Sequence, residues 1–164
     1  MSRFKLRFTI LALAILTAFT IAVQAGAEPI KGRVVFHYVK MEVIQVGDVP
    51  GHVIGVADAA GLTFDDIENK VGTFATHVLF DSTKGNGTHW GYDMRTYDDG
   101  SMITKFQGTT MAGEGEMSSF QGTSTFTKGT GRYEGIQGGT SYAGKGGPTG
   151  RYADVTGSYT LPPR

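Results

Sequence analysis

Few side chains in this sequence could do acid–base or ligand chemistry. The chain holds four histidines, His37, His52, His77 and His89, and no cysteine. No HxH or HExxH spacing joins the histidines, so spacing predicts no metal site. Missing thiols exclude disulfides and thiolate ligands. Glu42, in Lys40-Met41-Glu42-Val43, shares strand parity with Phe36, Tyr38 and Ile44. If that face turns inward, Glu42 is a desolvated carboxylate with a raised pKa, suited to a general acid or base. If the strand twists or bulges near Lys40, Glu42 meets water and pairs with a surface cation. His77 lies between Ala75 and Leu79 on one strand face, where it could shift protons inside a cavity or sit at a barrel mouth. His89 and Asp93 also share a face, which makes a His–Asp pair conceivable. There is no Gly-Lys-Ser/Thr phosphate loop and no GxSxG element, so neither phosphate binding nor a hydrolase nucleophile is supported.

An aromatic set accompanies these groups: Phe36, Tyr38, Phe74, Phe80, Trp90, Tyr92 and Phe106. It can line an apolar cavity or fill a solid core, and small barrels do both. As a ligand site, the expected walls are Phe36, Tyr38, Trp90, Tyr92 and Phe106, with Glu42 and His77 as the catalytic or polar contacts. No metal and no cofactor is expected.

The elements that must position these residues read as strands. Ile30 to Val46 is rich in Val, Ile, Phe and Tyr, and is too long for an ordinary strand unless it bends or serves a barrel. Gly47 to Gly51 is a turn and His52 to Val56 a short strand, with Asp58 to Lys70 expected to be irregular. Gly72 to Thr83 alternates Phe74, Thr76, Val78 and Phe80 against Ala75, His77, Leu79 and Asp81. Asn86-Gly87 predicts a type I′ hairpin turn. Trp90, Tyr92 and Met94 then alternate with His89, Asp93 and Arg95, and Asp98-Asp99-Gly100 makes the next turn. Later strands are expected near Met102 to Thr110, Met117 to Thr127, Gly138 to Ala143 and Ala153 to Leu161, with Gly144 to Gly150 as a flexible loop. No amphipathic helix interrupts them. About eight strands joined by short turns predict one all-β domain, an eight-stranded antiparallel up-and-down barrel. Gly131-Arg132-Tyr133 and Gly150-Arg151-Tyr152 echo each other as turn-into-strand devices, with Gly at the bend and Tyr packed beneath it.

The N-terminus is read separately. Arg3, Lys5 and Arg7 precede an uncharged stretch from Phe8 to Ala27, which passes through Val23-Gln24-Ala25. A basic start, an apolar run and small residues before a cut predict a signal peptide over 1–25, leaving 26–164 as the barrel domain. An uncleaved anchor is the alternative. The full chain of 164 residues is neutral, with 15 Lys plus Arg against 15 Asp plus Glu. Cleavage removes three cations and no acid, leaving a mildly acidic domain with no basic stripe for nucleic acid. A secreted or periplasmic location is expected, with no membrane contact after cleavage.

Thr127-Lys128-Gly129-Thr130-Gly131-Arg132-Tyr133-Glu134-Gly135-Ile136-Gln137-Gly138 resembles a G-[ST]-G-x-[FY]-x-G-[VI]-x-G stretch found late in allene oxide cyclases, with a looser echo in dirigent proteins. The resemblance spans about Val34 to Tyr142. It implies a calycin-like barrel, often oligomeric, with an apolar cavity that folds a reactive substrate and excludes water. It also implies a carboxylate on the first long strand, which Glu42 matches best. Ile44 stands where the family has Asn, and His77 where it has Cys. The expected function is therefore binding of a small apolar molecule, extending to cofactor-free cyclisation or isomerisation. A homo-oligomer is an expected assembly. The alternative is a non-enzymatic interaction or assembly module with a packed core.

Overall fold

The computed structural model describes residues 26–163. The expected signal peptide lies outside them. Eight strands run in chain order: β1 (Glu28–Gln45), β2 (His52–Asp65), β3 (Lys70–Thr83), β4 (Asn86–Tyr97), β5 (Gly100–Ala112), β6 (Ser118–Gly131), β7 (Gln137–Gly147) and β8 (Gly150–Thr160). Each pairs antiparallel with the next, and β8 returns to β1, so the sheet closes on itself. This is the expected up-and-down barrel. Closure gives every strand a paired neighbour on each side.

The long first strand is explained by this geometry. Residues 28–36 pair with β8 while residues 32–45 pair with β2, so β1 serves two neighbours at staggered heights. Such stagger is what tilting strands into a barrel requires.

The two ends of the barrel differ. Turns 66–69, 98–99 and 132–136 lie at one end, and this end is filled. Ile30, Tyr97, Met102, Phe126, Tyr133, Ile136, Val155 and Tyr159 form a buried cluster there. Tyr133 is 2% exposed, and its ring sits 6.1 Å from the rings of both Tyr97 and Tyr159. Outside this plug, Arg132 and Lys70 bridge Glu68 and Asp99, and the Tyr159 hydroxyl donates to Glu28 at 2.6 Å. The opposite end carries turns 46–51, 84–85, 113–117 and 148–149, and it is open.

Three local expectations are corrected. Asp58 to Asp65 continues β2, and only 66–69 is a turn. Its Ala and Gly residues have weak strand propensity, but the ladders to β1 and β3 on both sides hold them extended. The β3–β4 hairpin exists, but its turn is Lys84-Gly85 (φ 52° and 80°), two residues before the expected Asn86-Gly87. Pairing Thr83 with Asn86 keeps Phe80 beside His89, and the Asn86 side chain takes up the Lys84 carbonyl and the Ala112 N–H instead. Gly144 to Gly147 belongs to β7, leaving only 148–149 as the loop. The two Gly-Arg-Tyr echoes also diverge. Tyr133 is buried in the plug, whereas Tyr152 lies on the outer face under the Arg33 guanidinium.

Candidate functional site

The open half of the barrel encloses a cavity of about 550 Å³. Its aromatic walls come from alternate residues of several strands. Phe36 packs against Phe74 and Phe120, with ring centroids 5.5 and 6.1 Å apart. Phe106 meets Tyr142 edge-on at 6.2 Å. Glycines make room for these rings. A Cβ on Gly108 would stand 2.6 Å from the Tyr142 hydroxyl, and one on Gly122 only 2.3 Å from it. Part of the chain's high glycine content therefore serves to clear space inside the wall.

Polar groups enter mainly from β4. His89 reaches the Thr110 hydroxyl through Nδ1 at 2.9 Å and the Tyr142 hydroxyl through Nε2 at 2.8 Å. Burial holds the His89 pKa below its ordinary value, which favours the neutral ring. A neutral imidazole has one donor and one acceptor, and either hydroxyl can complement each. Burial likewise pushes the Tyr142 phenol up, so it remains a hydrogen-bonding hydroxyl. Deeper in, Asp93 accepts a hydrogen bond from the Thr104 hydroxyl at 2.7 Å. Burial pushes this carboxyl up, and the Arg95 charge opposes the shift. At the mouth, the Arg151 guanidinium lies over the Tyr38 ring at 4.6 Å and donates to the Ser118 hydroxyl at 3.1 Å.

The expected site residues divide between the two faces of the wall. Phe36, Tyr38 and Phe106 line the cavity. Glu42 does not reach it. One extra residue, Val39, is inserted between the Tyr38–Ala59 and Lys40–Asp58 pairs. This bulge reverses the parity of the strand beyond it. Met41 and Val43 turn inward, and Glu42 turns out to pair with Lys40 at 2.6 Å. His77 is also on the outer face, with its side chain 76% exposed and Nδ1 2.7 Å from Asp58. Trp90 and Tyr92 are exterior too, 41% and 48% exposed. The inward face of β4 is the polar one, because Phe80, Thr76 and Phe74 of β3 pair with His89, Asp93 and Arg95. His89 and Asp93 do share the cavity face, but each bonds to other partners.

Sequence reasoning raised His89 and Asp93 only as a conceivable pair, and did not select Arg95 or Tyr142. The available signal was the pairing of β3 with β4: once Phe80 is inside, its partner His89 must be inside as well. Among the described residues, no group of three His, Cys, Asp or Glu side chains could hold a metal ion. Comparison with known proteins finds no matching family model and no matching curated protein.

Proposed function

We propose that this protein binds one small, largely apolar molecule in the open half of its barrel. The cavity itself carries this reading. A closed sheet walls off about 550 Å³, within the range of small-molecule sites, and aromatic rings line it around a few convergent polar groups. A fully packed interaction module would fill both halves, whereas the dense plug occupies one end. The resemblance to allene oxide cyclases extends the reading to cofactor-free cyclisation or isomerisation. His89, Asp93 and Tyr142 are the polar groups such a substrate would meet.

The test is a titration with the neutral fluorescent probe N-phenyl-1-naphthylamine. One saturable site per chain is expected. Val78→Trp, which puts an indole into the cavity, should abolish binding while the circular dichroism spectrum is retained. Glu42→Gln and His77→Ala should bind as the wild type does. A flat titration, or binding unaffected by Val78→Trp, would remove the ligand from the barrel.

A second reading concerns the outer face of β1–β4, where Val35, Val56, Leu62, Leu79, Trp90 and Met94 are exposed together. Lys40 and Glu42 neutralise each other on this face, and a contiguous exposed apolar patch of this kind is a surface that a second copy of the chain would cover. Sedimentation should show an oligomer that Leu79→Lys dissociates. A wild-type monomer at about 50 µM would sink the idea, since that lies well above ordinary affinities.

A further inference from the structure

Arg95 projects from β4 into the cavity floor, between Phe74 of β3 and Met102 of β5. Its side chain is only 6% exposed. Below it lies the apolar plug that contains Tyr97 and Met102. The Nε atom is buried and has no hydrogen-bond partner among the described residues. The nearby carboxylate, Asp93, stands 3.9 Å from Nε, beyond hydrogen-bond reach, and its Oδ1 already accepts from Thr104. A guanidinium is always charged and presents a planar fork of donors. The Asp93 charge offsets part of the cost of burying this cation, but an Nε–H left without an acceptor is still unfavourable.

From this placement we infer that the ligand is an amphipathic monocarboxylic acid that enters head first and sets its carboxylate on Arg95. The inference rests on the reading that the barrel holds an apolar molecule. A carboxylate matches the fork of a guanidinium in two parallel hydrogen bonds. A single negative charge also suits a floor with one cation beside one acid. A dianionic phosphate would bring two charges against Arg95 and repel Asp93. Asp93 spends its Oδ1 on the Thr104 hydroxyl and stands beyond hydrogen-bond reach of Nε, so it does not fill the guanidinium fork. Phe36, Phe74 and Phe106 then surround the apolar body of the acid, and its tail points toward the mouth.

Displacement of N-phenyl-1-naphthylamine by decanoate, decanol and decyltrimethylammonium tests the head group at constant chain length. Wild-type protein should prefer decanoate over decanol by roughly ten- to a hundredfold, as expected for a charged hydrogen bond. Decyltrimethylammonium should compete worst. Arg95→Met should keep the probe site and lose the decanoate preference. Should that variant not fold, the Arg95 Nε–H resonance of the wild type gives the same answer: decanoate should shift it and decanol should not. Equal competition by decanoate and decanol overturns the inference while leaving the cavity reading intact. A preference that survives Arg95→Met also overturns it, since the anion would then sit at the mouth beside Arg151 and Lys84. Absence of probe binding defeats both readings together.

Discussion

The buried polar side chains of β4 make the interior sensitive to pH. His89 has a depressed pKa in the folded state, so the unfolded chain takes up a proton there first. Its contribution to stability is lost as pH falls below the ordinary histidine value toward the folded one. His52 behaves oppositely. Hydrogen bonds that its ring donates to Asp48 and then Asp81 raise its pKa, so its contribution is present below the unfolded value and lost as pH rises through the folded one. The melting temperature of His89→Gln should therefore fall less than that of the wild type between pH 7 and pH 5, and that of His52→Gln should fall more. Parallel slopes for the wild type and both variants would contradict these assignments. In the plug, Tyr133→Ala should destabilise the fold by ~3–5 kcal/mol, as expected for truncating a fully buried ring. Urea denaturation would measure it.

Among the strands, parity decides which side chains see the cavity, and the bulge at Val39 controls parity in β1. Deleting Val39 removes the extra residue yet leaves Tyr38 and Met41 facing inward, so the variant should fold and bind the probe. Deleting Val35 shifts Phe36 and Tyr38 to the outside, and should abolish probe binding or the fold. Equal behaviour of the two deletions would show that the bulge does not set the register. The β3–β4 turn offers a milder test. Lys84 holds a left-handed conformation, φ 52°, that Asn tolerates better. Lys84→Asn should raise stability by up to ~1 kcal/mol, read from the denaturation midpoint. The same turn shows why local patterns mislead. Asn86-Gly87 is a stronger turn signal than Lys84-Gly85, but a turn there would slip the pairing and push Phe80 or His89 out of register.

The whole barrel is asymmetric both along its axis and around it. One end is sealed by tyrosines and an ionic network, and the other opens beside Lys84, Glu116 and Arg151. Among the described residues the cavity therefore opens at one end of the barrel, and the other end is packed. Around the circumference, exposed apolar residues concentrate on β1–β4, while β5–β8 present Lys105, Gln107, Thr123, Ser141 and Asp154.

The sequence by itself determined the class of fold. Periodic strands, short turns, a dense share of glycine and a chain without cysteine admit few other solutions, and eight strands of this length close readily. It also identified Phe36, Tyr38 and Phe106 as cavity residues, because they lie on stretches where alternation runs undisturbed or precedes the bulge. It could not say which face of β4 turns inward. Trp90, Tyr92 and Met94 are the apolar set, and hydrophobicity alone puts them in the core, yet the tertiary structure holds His89, Asp93 and Arg95 there. Only pairing with β3 decides this, since a strand's two faces are exchanged by a shift of one residue. The same holds for Glu42, whose outward turn depends on one inserted residue that no local pattern marks. Orientation across a closed sheet is a property of registers around the entire ring, and no single segment contains it.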